Sequence, residues 1–527
     1  MKELLQMRDL DVMYPVNFLT LSREQRRKII RSHMIFQPKY DPNTGAYIKL
    51  KARFVADGST QDKTVYDEND ISSPTVTTHA VFINAAIAAK ERRIVKVVDL
   101  PGAYLHADMS GEEVLMHINK EDAQILIMLV PSYEQYRRTD GSMVVKLTKA
   151  LYGCIESARL WYREISTALK SIGYTPNAKD ICVFNKEVND VQCTITLHVD
   201  DLMVTSVTEG LIDEVMNLLR SKYERPGAKL DVKEGKVHNY LGMTFDFSVD
   251  GEVKISMNKY ITEVLTFTEI KGSVVTPATS ELYSIVASDP LDATEREYFH
   301  SVVAKLLYLS KRVRPDLLTA VGFLAKRVTV STKMDKVKLE RVLRYLNGTP
   351  HLCLTLRPND NLSILSYIDA SYAVHHDMKS QTGVAITLGE GITYSKSSTQ
   401  QLNSKSSTEA ELIALTDAAG HVIWLRDYLL GQGYNIGPAT IFQDNMSTMA
   451  LVKKGYSTSN NTRHINIRYF FIKDRVDSEE LKIEYLPTED MVADFFTKPL
   501  QGELFKTLRD KVLGVKADKK HSFVAYF

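Results

Sequence analysis

The stretch VQCTITLHVDD, residues 191–201, alternates in twos. Val191, Cys193, Ile195, Leu197 and Val199 fall on one side, and Gln192, Thr194, Thr196, His198 and Asp200 on the other. Successive side chains of a strand point to opposite faces, so the pattern predicts a half-buried strand with one polar face. Asp200 and Asp201 close it, and Leu202-Met203-Val204 begin a return strand. An ordinary hairpin with acidic turn residues is the competing reading. Against it, two adjacent carboxylates repel unless a cation lies between them. Working outward, IVKVVD (94–99) is a second apolar run that ends in a carboxylate, Asp99. A charge buried there needs a metal, a base or a helix terminus. Three carboxylates at the ends of neighbouring strands make a hard-oxygen site suited to Mg²⁺.

A second acidic set lies towards the C-terminus. The run Leu362–Ile368 leads into Asp369, and a hairpin with arms Gly383–Leu388 and Ile392–Ser395 follows. Thr408–Leu430 has helix periodicity, with Leu412, Leu415, Ala419, Val422 and Ile423 on one face. Glu411 lies at the edge of that stripe, leaning to the sheet side, whereas Glu409 and Asp417 are expected to face solvent. The strand Ala439–Phe442 runs into Gln443-Asp444-Asn445, and Ala493-Asp494 opens a helical segment. Asp369, Glu411, Asp444 and Asp494 thus fall at strand ends and helix edges of one α/β unit, although Asp494 alone reads equally well as a helix cap.

The bulk of the chain fits several globular domains over 527 residues, with 44% apolar and 25% charged residues. The longest nearly apolar run, Ala80–Ala89, is interrupted by Asn84 and is too short to span a bilayer. Cys154, Cys182, Cys193 and Cys353 form no CxxC pair, so a reducing compartment and no structural zinc are expected. A net charge of +1 leaves the partner open. The basic residues concentrate between Val302 and Asn347, where eleven Lys/Arg face three Asp/Glu.

KARFVADGSTQ (51–61), VVDLPGAYLHAD (97–108), LTKALYGCIESARLWY (147–162) and HVDD (198–201) resemble the reverse transcriptase of copia-type retrotransposons. YLGM (240–243) resembles that family's primer grip, and the blocks at 298–324 and 341–349 its connecting region. Around the second acidic set, STEAELIAL and the Asp–Glu–Asp–Asp order resemble ribonuclease H. The resemblance covers nearly the whole chain. It implies an RNA- and DNA-templated DNA polymerase whose Asp99, Asp200 and Asp201 hold two Mg²⁺ ions, with Mn²⁺ as a substitute. It also implies a nuclease that holds two ions on Asp369, Glu411, Asp444 and Asp494 and cuts the RNA of RNA–DNA hybrids. Tyr104 matches the aromatic residue beneath the nucleotide sugar, where its ring excludes a 2′-OH. Lys51 and Arg53 match basic residues near the incoming triphosphate, and Gly153 a glycine that lets template or nucleotide approach the backbone. His464 in TRHINIRYFF would assist product release or contact the hybrid, or be a helix-surface histidine. The alternative to an enzyme is a degenerate element that binds template–primer without chemistry, but all seven carboxylates are intact.

Three positions depart from the family pattern. His198 stands where Tyr is usual, which brings a group that titrates near neutrality to the primer end. Asp57 replaces an Arg, and Glu156-Ser157 interrupts the usual Lys-Gln-Ala-Pro run. The implied fold is an α+β right hand with fingers and palm over 1–225, a helical thumb over 226–290 and a connection over 291–360. An α/β ribonuclease H-like domain over 361–513 and a loose tail over 514–527 complete it. Expected partners are an RNA template, a DNA or tRNA primer, the RNA–DNA hybrid and dNTPs, with homodimerisation or association with an integrase, and no membrane. The basic stretch 302–347 is expected to hold duplex phosphates. No protease or integrase segment is visible, so the chain is expected to be an excised product of a larger polyprotein that works in cytoplasmic virus-like particles.

Overall fold

Residues 191–206 form the hairpin that the alternation predicts. Val191–His198 pairs antiparallel with Asp201–Ser206, leaving Val199 and Asp200 as a two-residue turn. Val199 has φ +57°, a left-handed conformation rare for a β-branched residue. The indole of Trp161 donates to Val199 O, and Leu100 N donates to Asp200 O, so the turn is held from two sides. The computed structural model describes residues 1–40, 46–66, 71–454 and 463–516. The expected tail therefore lies outside the described residues from 517 onward.

The hairpin is the centre of a six-stranded antiparallel sheet, ordered Asp231–Lys233, Ile94–Asp99, Asp201–Ser206, Val191–His198, Val183–Val188 and Thr175–Pro176. Helices Ser157–Ser171 and Glu209–Tyr223 cover one face through Trp161, Ile165, Ile212 and Val215. Helix Thr78–Lys90 covers the other, and ten of its residues are buried. The strand is thus buried on both faces, and the expectation of one solvated polar face is corrected. Thr194 and Thr196 are 2% and 1% exposed. Their hydroxyls accept hydrogen bonds from Arg93 and Asn84, which is why polar residues sit on this face.

A second sheet carries Met13–Pro15, Met143–Leu147, Leu115–Ile118, Ile30–Tyr40 and Tyr47–Ala56. Beyond 226 the expected helical segment needs correction. Asp231–Lys233 joins the central sheet, and Val237–Tyr240, Met243–Asp246 and Val253–Ser256 form a meander, with only Asn258–Thr268 helical before 290. Leu354–Pro358 extends the meander and pairs with Gly389–Glu390, so this sheet runs into the C-terminal unit without a break.

The C-terminal sheet is ordered Tyr394–Thr399, Gln381–Thr387, Leu365–Ser371, Ala439–Gln443 and Leu481–Tyr485. Its first three strands in chain order run antiparallel, and the last two run parallel to Leu365–Ser371. Helix Ser407–Gly431 packs on it. A single apolar core extends from helix Thr78–Lys90 through the helices of 293–348 into this sheet. Among the described residues no helix is long and apolar enough to cross a membrane.

Candidate active sites

The register places the first carboxylates together. Asp99 is the partner of both Asp201 and Asp231, and Asp200 sits in the adjoining turn. Asp99 lies exposed where its strand ends, a correction to the expectation of a buried charge. Its carboxyl is raised by partial desolvation and then by Asp200, with Lys51 opposing. Asp201 is pushed up to about 6 by burial and by the charges of Asp200 and Asp99. Asp99 and Asp201, whose carboxyls are raised beside the charge of Asp200, offer oxygen donors of the kind that a hard cation takes.

Strand Tyr47–Ala56 brings Lys51 within electrostatic reach of Asp99, while Arg53 lies near Tyr152 and Glu3. Tyr104 sits on a short turn, Ala103–His106, that follows the Asp99 strand. Its ring packs on Tyr152 with centroids 4.5 Å apart, and Asp200 adds to burial in raising both hydroxyls. Tyr152 was missed in the sequence, although it directly precedes Gly153. The reason expected for Gly153 is corrected as well. At φ +95°, a Cβ there would lie 2.0 Å from Ala56 O, so the chain's own backbone fills the space. Ala56 N donates to Tyr152 O at 2.8 Å across the same contact. His198 is half-buried opposite Asp201, and Asp57 caps the turn Gly58–Thr60 by accepting from Ser59. Tyr240, at the start of YLGM, donates to Thr196 O at 2.9 Å, which anchors the Leu241-Gly242 turn to the 191–206 hairpin.

The second set converges more tightly. Asp369, Glu411 and Asp444 each offer an oxygen within 4.8 Å of the others. Asp369 and Glu411 are 2% and 5% exposed. Burial raises Glu411 well above the carboxylate range, and Asp369 and Asp444 raise it further. Gln443 holds the loop after its strand, its Oε1 accepting from Asp444 N and Asn445 N. Thr488 donates to Asp444 and Thr497 to Asp369. The short helix Asp494–Thr497 lies over Gly383, the register partner of Asp369. A Cβ on Gly383 would stand 2.6 Å from Ala493 O, so the absence of a side chain lets Asp494 approach. Asp494 stands outside the three-residue cluster and pairs with Lys498 at 2.7 Å. Glu409, expected in solvent, is 9% exposed and accepts from Lys405 N at the start of its helix. The side chain of His464 lies outside the described residues.

Much of the basic stretch is also engaged within the chain. Lys333 pairs with Asp289, Lys336 with Glu295, Arg327 with Asp335, and Arg344 with Glu340. Lys338 donates to the carbonyls of Leu282 and Ser284, and Arg341 to Thr276. Lys333, Lys336, Lys338 and Arg341 fasten the 274–295 segment to helix Lys333–Gly348.

Adjacent strands that bring carboxylates together at their ends make a candidate metal-binding site. Residues 17–279, about half of the chain, match the family described as reverse transcriptase (RNA-dependent DNA polymerase), and the chain belongs to that family. It is 28% identical over 497 residues to a retrovirus-related Pol polyprotein from transposon TNT 1-94 of Nicotiana tabacum, covering 92% of this chain and 36% of the relative. It is also 28% identical to the one from transposon RE1 of Arabidopsis thaliana, covering 92% and 32%. A truncated transposon Ty1-A Gag-Pol polyprotein of Saccharomyces cerevisiae is 26% identical, covering 92% and 40%. The chain thus spans about a third of the length of these relatives. In fold, it is similar to a foamy viral protease-reverse transcriptase solved in complex with ds DNA, at a TM-score of 0.52 and 12% identity, covering 92% of this chain and 68% of that one.

Proposed function

We propose that the chain copies RNA and DNA templates into DNA at Asp99, Asp200 and Asp201, and degrades the RNA of the resulting hybrid at Asp369, Glu411, Asp444 and Asp494. The observation that carries this reading is the pairing of Asp201 with Asp99 across adjacent strands, with Asp200 in the adjoining hairpin turn. Oxygen-only donor sets with raised carboxyls suit divalent cations at both places. Two Mg²⁺ ions at each site would supply activation of the attacking oxygen and charge relief at the leaving group.

The protein's own groups do the rest. Lys51 faces the carboxylates from the neighbouring sheet, where an incoming triphosphate would need a counter-charge. Tyr104, backed by Tyr152, presents a ring beside Asp200 that would leave no room for a 2′-OH. Gln443, Thr488 and Thr497 orient the nuclease carboxylates before any ion arrives. The mixed sheet order and the four acidic positions support a ribonuclease H domain over 361–513, with fingers and palm over 1–225. Replication of a retrotransposon in cytoplasmic particles is the setting this chemistry suits. The test is extension of a DNA primer on an RNA template with Mg²⁺ and with EDTA. Mg²⁺-dependent extension and loss of template RNA support the reading, and template–primer binding without either supports the non-catalytic alternative.

A further inference from the structure

Lys498 follows directly on helix Asp494–Thr497, in extended backbone with φ −123° and ψ 138° ahead of Pro499. That geometry turns its side chain back onto the helix it leaves. The ammonium lies 2.7 Å from Asp494 Oδ1 and 4.0 Å from Asp369 Oδ2. Both carboxylates are nearly closed to water, at 6% and 3%, whereas the lysine side chain is 40% exposed. Asp369 also offers an oxygen within 4.8 Å of Glu411 and Asp444. The site therefore has two compartments sharing Asp369. One is bounded by three carboxylates, and the other by two carboxylates with an ammonium already between them.

We propose that Lys498 is a positioning residue of the nuclease, a tethered cation that fills the Asp369–Asp494 compartment until a divalent ion displaces it. This rests on the nuclease reading of the site. The lysine offsets the repulsion of the two carboxylates when no ion is bound and so keeps the site assembled. The same charge competes with an ion for that compartment. Its ion pairs are with Asp494 and Asp369 and not with Glu411 or Asp444, so ions bind in order, the three-carboxylate compartment first. Displacement is feasible because the lysine is solvent-accessible and its long stem can rotate away. Once displaced, the ammonium stays beside the site, where it can meet the phosphate of a bound hybrid.

The experiment is a Mn²⁺ titration of the full chain followed by electron paramagnetic resonance, in an Asp99→Asn, Asp200→Asn background that silences the polymerase carboxylates. The expected result is one tight and one weaker ion, with Asp369→Asn altering both and Asp444→Asn the tight one. Lys498→Met should tighten the weaker ion by about tenfold, with little change in the tight one. In EDTA the same variant should unfold at a lower temperature, so metal affinity and metal-free stability move in opposite directions. Lys498→Arg, which keeps the charge, should return both close to the parent. A lysine that only packs against the helix would lower stability and leave or weaken ion binding, and that outcome overturns the proposal. If Mn²⁺ binding is absent and insensitive to Asp369 and Asp444, the nuclease reading itself fails. Two ions with a weaker one unmoved by Lys498→Met refute the tethered cation alone.

Discussion

Tyr428 donates a hydrogen bond to Asn84 Oδ1 at 2.7 Å, joining the middle of helix Thr78–Lys90 to the end of helix Ser407–Gly431. Both residues are buried, and Asn84 passes the contact on by donating to Thr196 on the catalytic hairpin. Gln432 also reaches Asn84 Oδ1, and Asn177 donates to Tyr428 O. Nearby, buried Arg93 bonds Thr194, Gln192 and Tyr434. A polar network thus ties the back of the central six-stranded sheet to helix Ser407–Gly431, inside a shared apolar core. The two sites keep separate carboxylates but stand on one scaffold.

Tyr428→Phe should lower stability by about 1–2 kcal/mol, because it leaves buried Asn84 with one donor fewer. Denaturant unfolding, followed by a probe on each side of the interface, should show both transitions shifting together. An early transition confined to the nuclease side would show that the interface contributes little to the whole.

Asp201 makes metal-free stability depend on pH. Its carboxyl titrates at about 6, raised by burial and by Asp200 and Asp99, whereas an unfolded Asp titrates near ~3.9. The native state holds the proton more tightly, so this contribution is complete below the unfolded value and is lost as pH rises through about 6. Relative to Asp201→Asn, the wild-type protein in EDTA should lose about 1 kcal/mol between pH 4 and 7, after allowance for the group's partial exposure. Urea titrations across that range measure it. A difference that stays constant or grows with pH contradicts the assigned cause.

Lys338→Glu should destabilise the chain by about 1–3 kcal/mol, since a carboxylate would face the carbonyls of Leu282 and Ser284. The salt dependence of template–primer binding should change little, because this lysine is already engaged. A slope reduced by a full unit of log affinity per log salt would return Lys338 to the phosphate-binding surface.

The acidic strand ends were legible because each closes an apolar or alternating run, and a strand's period of two leaves little freedom in where its last residue points. Glu411 was legible from its angle on the helix. The burial of Thr194 and Thr196 was not, since the groups that cover them come from Asn84 and the 428–434 segment, distant in sequence. Asn84 itself was visible as the one polar break in Ala80–Ala89, though nothing local said what it met. The strands between 231 and 256 are three or four residues long, too short for a period to stand out. Composition found the charge-rich stretch 302–347 but could not show that part of it binds the 274–295 segment. Lys498 carries a local signal, four residues after Asp494, but only the fold brings Asp369 to its other side.

The most direct test uses one reaction in which primer and RNA template carry separate labels, run in Mg²⁺ with wild type, Asp200→Asn and Asp444→Asn. Wild type should extend the primer and fragment the template. Asp200→Asn should abolish extension while cutting a preformed hybrid, and Asp444→Asn should do the reverse, since each removes a carboxylate from one cluster only. Near wild-type extension by Asp200→Asn, or continued RNA cleavage by Asp444→Asn, would contradict the assignment of chemistry to these two sites.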